Sequence, residues 1–348
     1  MSTQFAVPVV DLGPYVRDEG AEARAQVARE LDQACRTVGF VQIVGHGVPE
    51  QVTDGLAAAM DAFFGQQLEV KKQYVRPVRE NRGYNPPKSE SLSYSLGIDP
   101  VSRMNDFFEA FNIGASAADY PDAGLSPEDY AASVWPEKPT GFKEQVETYF
   151  AEARRVARAL TEAVADALGV ERAFIEGITD HSLDVLRMNN YALPPGDIEL
   201  GAELTGMGEH TDFGLLTVLW ADQVTGLQIL ADDGTWHDVM PADGALLVNL
   251  GDLAARLTND VWRSTLHRVK PPVVDGRIQR RRSAAMFHDG NIDAVVGPLE
   301  SFVAESGTAL YAPVTVKEHI QAKLDGAKAG KKNTAAVREA ARVRAASA

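Results

Sequence analysis

Residues 183–300 consist of short apolar runs separated by turn signals, and this pattern constrains the fold more than any other feature of the chain. Asp233-Gly234 and Asp243-Gly244 are two of the turn signals, and apolar runs of this length between turns are typical of strands. Strands do not alternate with helices here, so a dinucleotide-binding fold fits poorly, and the glycine-rich stretch 206–211 lacks the third glycine of that fingerprint. We therefore predict a β-sandwich or barrel core.

The segments outside this core are mostly helical in their spacing. Two short strands are expected within 7–13 and 39–49. The stretch 80–105 lacks periodicity and is rich in Pro, Ser and Gly, which is typical of a lid or substrate loop. Apolar residues recur at helical intervals in four further segments: 19–38, 50–75, 138–169 and 315–328. The sequence thus predicts a mainly β protein with flanking α-helices.

The net charge of −15 is unevenly distributed along the chain. Residues 1–320 carry 27 basic and 47 acidic side chains, whereas residues 321–348 carry seven basic and two acidic ones. An acidic body repels phosphates, so we expect neither nucleic acid nor an anionic membrane as a partner. The basic, Ala-rich tail 321–348 is typical of a frayed helix or a disordered end, and an active-site cover or a contact with a partner is the alternative.

The N-terminus lacks a basic segment followed by a long apolar run, so we expect no signal peptide, no membrane span and a cytoplasmic location. The single cysteine, Cys35, excludes an intramolecular disulfide framework and a multi-cysteine metal cluster.

Residues 208–220, GEHTDFGLLTVLW, begin with polar side chains and continue as an apolar strand. Because side chains alternate along a strand, His210 and Asp212 would share a face and could hold one cation. Among the other histidines, His267 stands in a second strand-like stretch, 55 positions beyond Asp212, and is the candidate third ligand. Two histidines and a carboxylate suit non-haem Fe(II), although zinc accepts the same ligands and an isolated pair of this kind also arises in turn capping.

Arg281 and Ser283 repeat the same spacing of two in another predicted strand. A guanidinium fork beside a hydroxyl is well shaped to bind a carboxylate, and a buried ion pair with an acid of the protein is the alternative. Arg280 and Arg282 should point the opposite way, to the surface or to salt bridges.

Several ordered stretches carry a resemblance to a known family. They are VPVVDL (7–12), GFVQIVGHGVP (39–49), FFEAFNIG (107–114), LRMNNYALPP (186–195), HTDFGLLTVL (210–219), VNLGDLAARLTND (248–260), STLHRV (264–269) and RRRSAAMFHDGN (280–291). On these stretches the sequence resembles the isopenicillin N synthase-like family of Fe(II)- and 2-oxoglutarate-dependent oxygenases, over roughly residues 7–320. The resemblance implies a distorted double-stranded β-helix, or jelly roll, with helical flanks.

The corresponding organisation is a single oxygenase domain, 1–320, followed by the basic tail 321–348. Within the domain, the expected parts are a mostly helical flank with N-terminal strands, a jelly-roll core with the iron site, and the start of a C-terminal helix, at 1–180, 181–305 and 306–320.

The resemblance also implies roles for individual residues. His210, Asp212 and His267 are implied as iron ligands. Arg281 and Ser283 match the pair that binds the distal carboxylate of 2-oxoglutarate, and Tyr191 and Asn189 match positions that contact this co-substrate. Substrate contacts in the family come from loops and strand edges, where the candidates are Arg82, Tyr84, Phe108, Phe287 and His288.

The implied reaction uses Fe(II), 2-oxoglutarate and O2. Oxidative decarboxylation of 2-oxoglutarate to succinate and CO2 is coupled to C–H oxidation, foremost hydroxylation, of a small-molecule metabolite. Two alternatives stay open at this point. One is an iron oxidase of the same fold that does not use 2-oxoglutarate, as in isopenicillin N synthase itself, and the other is a non-catalytic metal- or ligand-binding protein.

Overall fold

The computed structural model describes residues 5–90, 92–96, 108–192, 206–274 and 277–329, together with 333, 336 and 338. Within these residues the chain forms sixteen strands and nine α-helices, which confirms a mainly β core with flanking helices. Three predicted features lie partly outside the described residues, namely the end of the loop 80–105, the prolines of the stretch 186–195, and most of the tail 321–348.

The strands, in chain order, are β1 Val9–Asp11, β2 Phe40–Val44, β3 Gly83–Asn85, β4 Glu109–Gly114, β5 Asp184–Tyr191, β6 Met207–His210, β7 Leu216–Ala221, β8 Leu227–Leu230, β9 Trp236–Asp238, β10 Leu246–Leu250, β11 His267–Val269, β12 Val273–Val274, β13 Arg277–Ile278, β14 Arg281–His288, β15 Val295–Val296 and β16 Val314–Thr315. The predicted turn glycines Gly234 and Gly244 lie between β8 and β9 and between β9 and β10, with φ of 77° and 71°. Glycine adopts such positive φ values at little steric cost, which explains its place in both turns.

The α-helices are α1 Gly13–Val16, α2 Ala21–Thr37, α3 Glu50–Phe64, α4 Leu68–Lys72, α5 Phe142–Leu168, α6 Arg172–Glu176, α7 Asp252–Leu257, α8 Glu300–Ser306 and α9 Val316–Ala329. Helix α5 confirms the prediction for 138–169, and it ends at Gly169, whose φ of 66° closes the last turn. No helix among the described residues has the length and apolar character needed to cross a lipid bilayer.

Two sheets build the core. The larger has eight strands in the order β1-β2-β10-β7-β14-β5-β4-β3, and the smaller has four in the order β6-β11-β8-β9. All neighbouring pairs in both sheets are antiparallel except β1 and β2.

The two faces of the larger sheet are buried against different layers. On one face, Val218, Val248 and Met286 pack in a cluster with apolar side chains of α2, α3 and α5. On the other face, Leu247 and Tyr191 share a second cluster with Ile229 and other residues of the smaller sheet. Side chains of period two therefore point alternately to the helices and to the space between the sheets. That space contains the candidate site.

The stretch 208–220 differs from the single strand that the sequence suggested. His210 ends β6 in the smaller sheet, whereas Leu216 begins β7 in the larger one. The chain crosses between the sheets at residues 211–215, where Gly214 passes close to other backbone. A Cβ on Gly251 would lie 2.2 Å from the carbonyl oxygen of Gly214, and one on Gly214 would lie 1.9 Å from Asp289 Oδ1. The absence of side chains at both glycines permits this crossing.

The first nine residues of the tail 321–348 are helical, and most of the remaining tail lies outside the described residues. Helix α9 runs without interruption through position 321 to Ala329, so the expected boundary at 320 falls inside it. Its inner side is buried because Ile320 belongs to an apolar cluster, Leu324 packs against that cluster, and Ala327 joins the cluster between the sheets.

Candidate active site

Two histidines and an aspartate meet between the sheets. His210 and His267 are directly paired across β6 and β11, and Asp212 lies two residues beyond the end of β6. Asp212 Oδ1 is 3.9 Å from His210 Nε2 and 3.7 Å from His267 Nε2. One ligand atom from each residue lies within 4.8 Å of the others, and all three residues are buried. This spacing suits simultaneous coordination of one transition-metal ion.

Hydrogen bonds orient each of these side chains. His210 Nδ1 lies 2.7 Å from the carbonyl oxygen of Gly208, and His267 Nδ1 lies 3.1 Å from that of Thr265. Each Nδ1–H can therefore donate to a carbonyl, which leaves the Nε2 lone pair facing the cluster.

The carboxylate of Asp212 is held in the same manner. Its Oδ2 accepts hydrogen bonds from Thr217 Oγ1 at 2.5 Å and Asn249 Nδ2 at 2.7 Å. Oδ1 is thereby turned towards the two histidines. Burial, followed by the proximity of His267, lowers the pKa of His210 to about 3, so its imidazole is neutral and able to bind a metal.

A buried carboxylate supports both loops that carry these residues. Asp252, at the start of α7, accepts hydrogen bonds from Thr211 at 3.1 Å and Ser264 at 2.7 Å. Lys323 of α9 places its ammonium 2.6 Å from Asp252 Oδ2, as an ion pair without a well-directed hydrogen bond. The C-terminal helix is thus connected to the loops beside the His-Asp-His cluster through Asp252.

Strand β14 brings a buried arginine into the same cavity. Arg281 and Ser283 both line it, as their spacing of two predicts, together with Tyr191 and Asn189 of β5. Arg281 is 2% exposed, and its Nε and Nη1 have no hydrogen-bond partner among the described residues. No acid of the described chain forms an ion pair with Arg281, so a buried ion pair within the protein finds no support. A buried guanidinium requires an anion, and a carboxylate fits its fork.

Arg280 and Arg282 point to the opposite side of β14, as expected, where both form ion pairs with Asp61 of α3.

The cavity contains about 1010 Å³ of empty space, its open mouth included. Its remaining walls are mostly apolar, with contributions from Phe40, Leu92, Met207, Phe213, Leu219, Leu227, Val269, Ile320, Leu324 and Ala327.

Of the five predicted substrate contacts, only Phe287 lines this cavity. His288 follows Phe287 on β14 and therefore points to the helices, where its Nδ1 lies 2.7 Å from Asp184 Oδ1. Tyr84 also lies on the helix side of the larger sheet, and its hydroxyl donates to Glu109. Strand alternation explains both misplacements.

The other two predicted substrate contacts, Arg82 and Phe108, form contacts outside the cavity. Arg82 is buried among backbone carbonyls and donates to those of Ala131, Asn81 and Ala115. Phe108 packs against the ring of Tyr191, 5.6 Å between centroids, and against the guanidinium of Arg187. It supports the cavity wall without lining it.

Several residues in or beside the cavity were not predicted from the sequence. Asn249, near the end of β10, lines the cavity, and Asp252, at the start of α7, lies behind the His-Asp-His cluster. Glu90, Asn112, Arg187 and Lys328 gave no pattern, because they come from four separate elements that only the fold brings together.

Comparison with known proteins agrees with this geometry. Residues 183–290 match the family described as the 2OG-Fe(II) oxygenase superfamily, and residues 7–138 match the N-terminal region described for the non-haem dioxygenase in morphine synthesis. The 2-oxoglutarate-Fe(II) type oxidoreductase hxnY of Emericella nidulans is 32% identical over 99% of this chain and 97% of its own length. The chain belongs to the 2-oxoglutarate- and Fe(II)-dependent oxygenase superfamily.

One further sequence relative and one solved structure are also similar to this oxygenase. The validamycin A dioxygenase of Streptomyces hygroscopicus subsp. limoneus is 33% identical to it over 91% of this chain and 86% of the relative. A full-length Neurospora crassa protein, solved in complex with alpha-KG and thymine, has a TM-score of 0.79 at 22% identity, over 93% of this chain and 98% of that one. The likeness to the Neurospora crassa structure shows a common fold, and the jelly-roll expectation is confirmed.

The protein is a non-haem iron dioxygenase, and Fe(II), 2-oxoglutarate and O2 are its cofactors and co-substrates. This outcome decides against the two alternatives left open by the sequence. The donor set fits such an ion, because two neutral imidazoles and one carboxylate leave further coordination positions for exogenous ligands.

Proposed function

We propose that this oxygenase hydroxylates a C–H bond of a small-molecule metabolite, with His210, Asp212 and His267 holding the iron. In the same proposal Arg281 and Ser283 bind the distal carboxylate of 2-oxoglutarate. The observation that carries the proposal is the buried guanidinium of Arg281, which lines the cavity that contains the His-Asp-His cluster and whose Nε and Nη1 have no hydrogen-bond partner among the described residues. The guanidinium lies 5.2 Å from the centre of the Tyr191 ring, but none of the described acids pairs with its charge. A buried cation without an anion is costly, and the co-substrate supplies the missing anion.

The protein's own residues then act by orientation and exclusion of water. The carbonyls of Gly208 and Thr265 fix the two imidazoles, and Thr217 with Asn249 fixes Asp212. Tyr191 and Asn189 line the wall beside Arg281 and contact the co-substrate in this proposal. Bound iron supplies the redox chemistry of O2 activation and of C–H cleavage.

The apolar walls restrict both water and substrate. Phe287 from β14, Phe213 and Leu324 of α9 all line the cavity, so a substrate there is largely desolvated. Helix α9 covers the site in this arrangement. We therefore assign to the described part of the tail the role of an active-site cover.

The choice of a small molecule rests on the size of the cavity and on its relatives. Validamycin A is named as the substrate of one relative, and thymine is bound in a structural neighbour. The acidic body of the chain disfavours nucleic acid and anionic membranes as partners, and we propose a cytoplasmic location.

The test is the production of succinate by protein reconstituted anaerobically with Fe(II) and then exposed to O2. We expect succinate only when 2-oxoglutarate is added, and faster with a productive substrate. The His267→Ala variant is the matched negative control. Oxidation of a substrate without succinate formation would contradict the proposal and favour the oxidase mechanism.

A further inference from the structure

A second polar cluster lines the cavity beside the residues assigned to 2-oxoglutarate, and Arg187 Nε of this cluster donates to Asn189 Oδ1 at 3.1 Å. The cluster is formed by Asn81, Glu90, Asn112 of β4, Arg187 of β5 and Lys328 of α9. Its position follows from the register of the larger sheet. Arg187 lies two strands from β7, whose Thr217 binds Asp212, and Asn112 lies three strands away. Because neighbouring strands are about 4.8 Å apart, β5 and β4 lie roughly 10 and 14 Å from β7.

The charges of this cluster do not balance. Glu90 accepts two hydrogen bonds from Arg187, at 3.2 and 2.7 Å, and so neutralises one cation. The ammonium of Lys328 lies 3.7 Å from the same carboxylate and donates to Asn81 at 2.7 Å. The side chains of Glu90, Arg187 and Lys328 are 4%, 9% and 6% exposed. Among the described residues of the cluster, two buried cations thus share one buried acid, which leaves a net charge of +1 facing the cavity.

The cluster also contains an acceptor without a donor. Asn112 is 1% exposed, and its Nδ2 donates to Asn81 Oδ1 at 2.9 Å. Its Oδ1 has no hydrogen-bond partner among the described residues. A buried carbonyl oxygen left unpaired is unfavourable, so a ligand that brings an N–H or O–H group relieves this cost.

We propose that the substrate carries a carboxylate, which Lys328 and Arg187 bind, and an adjacent N–H or O–H group, which donates to Asn112 Oδ1. A single excess positive charge matches the charge of one carboxylate, and the apolar walls between this cluster and the His-Asp-His cluster accept a hydrocarbon body. The inference rests on the proposed function, because it names the substrate class of the same site. Lys328 and Arg187 determine specificity here and do not take part in bond breaking.

The experiment uses the anaerobic holoenzyme loaded with Fe(II) and 2-oxoglutarate, and it measures binding by calorimetry. The probes are phenylacetate and 3-phenylpropanoate, their methyl esters, and the amines of matching length. We expect the carboxylates to bind at least about tenfold more tightly than the esters, and the amines to bind least, since charge-assisted hydrogen bonds are the stronger ones. Equal affinity for acid and ester, or binding of none of the carboxylates, would overturn the inference.

Three variants test whether the preference for carboxylates over esters depends on Lys328. Lys328→Met should remove the preference for acid over ester, whereas Lys328→Arg should keep it. Lys317→Met is the matched control, because Lys317 lies on the same helix but is 57% exposed and pairs with Asp129. An unchanged preference in Lys328→Met would count against the proposal.

A near-isosteric change provides an independent test. Asn112→Asp adds one negative charge to the cluster, which cancels its single excess positive charge, and should abolish the preference for carboxylates over esters and amines. If the preference stays the same, Asn112 does not face the ligand.

Titration with 2-oxoglutarate alone separates this inference from the proposed function. Failure to bind 2-oxoglutarate would contradict the proposed function, whereas normal 2-oxoglutarate binding without any preference for carboxylates would contradict the substrate class alone.

Discussion

The two ends of the cavity differ in how completely their buried polar groups are hydrogen-bonded and ion-paired by the protein. At the His-Asp-His cluster, both Nδ1 atoms and Asp212 Oδ2 are hydrogen-bonded to the protein, and only Nε2 and Oδ1 atoms face one another. At the polar cluster around Lys328, two cations share one acid, and Asn112 Oδ1 has no partner among the described residues. At the first end, the polar atoms that would not hold an ion are all hydrogen-bonded. At the second end, one acceptor and one excess positive charge have no partner among the described residues.

This difference agrees with the ligand that we propose for each end. A metal ion requires fixed ligand geometry, so its ligands lie on or beside paired strands with hydrogen bonds that define their orientation. A substrate group varies between members of a family, and its binding residues come here from a loop, from β4 and β5, and from the C-terminal helix. In this proposal the strands that carry the His-Asp-His cluster and Arg281 provide the chemistry, whereas β4, β5, a loop and α9 provide the choice of substrate.

The largest effect should follow from removing a metal ligand. His267→Ala deletes one of three donors, and we expect the rate of succinate formation to fall by more than about 100-fold, because even changes behind the ligands cost 10- to 100-fold. Fe(II) affinity, measured by anaerobic titration, should fall in parallel. His237→Ala is the control, since His237 stacks on Phe5 outside the cavity. Unchanged Fe(II) affinity in His267→Ala would exclude it as a ligand.

Loss of the co-substrate's anchor should have the next largest effect. Arg281→Gln removes the guanidinium fork, and we expect the KM for 2-oxoglutarate to rise by about 100-fold, which corresponds to two lost charge-assisted hydrogen bonds. Fe(II) affinity in the absence of 2-oxoglutarate should stay within about twofold of the wild-type value. Arg280→Gln, one residue away on the opposite face of β14, should keep the wild-type KM. A similar rise in both variants would show that the effect is not local.

The contrast between the two ends also explains how far the sequence alone could predict the molecule. His210, Asp212, Arg281 and Ser283 were found from spacing within short segments, because both pairs lie two residues apart. The strand-rich core, the length of α5 and the two glycine turns followed from similarly local patterns.

The polar cluster around Lys328 could not be predicted in this way. Glu90 and Lys328 are separated by more than 200 residues, and each has neighbours that suggest an ordinary surface position. Only the folding of α9 over the cavity buries them together. The same limitation applies to the single strand expected for 208–220, since the crossing from β6 to β7 depends on a close approach between Gly214 and Gly251.

Two lysines on α9 can be compared directly: one pairs closely with a buried acid, and the other lies farther from an acid that already pairs with an arginine. Lys323 is fully buried and is the cation that faces Asp252, whereas Lys328 is the surplus cation beside Glu90. We expect Lys323→Met to lower the free energy of unfolding by about 3 kcal/mol, because it leaves a buried acid without its counter-ion. Lys328→Met should lower it by less than about 1 kcal/mol, since Arg187 still pairs with Glu90.

Urea denaturation of both variants measures this difference. Equal losses of stability would mean that Lys328 is a structural residue like Lys323, and the polar cluster would then no longer contrast with the His-Asp-His cluster.

The smallest expected effect concerns pH. Burial lowers the pKa of Lys328 to about 8, with Glu90 opposing the shift and Arg187 and Arg82 adding to it. The protonated form binds a carboxylate, so affinity is constant below this pKa and falls as the pH rises through it. The Kd of phenylacetate should therefore be about tenfold higher at pH 9 than at pH 7.

The Kd of 2-oxoglutarate should change much less between pH 7 and pH 9 and serves as the internal control, because our proposal assigns no lysine to its binding. Lys328→Arg should abolish the pH dependence of phenylacetate binding while retaining the affinity, because a guanidinium does not titrate below pH 9. If phenylacetate binding in Lys328→Arg still weakened between pH 7 and 9, another group at the cavity would be titrating. The surplus charge would then not belong to Lys328.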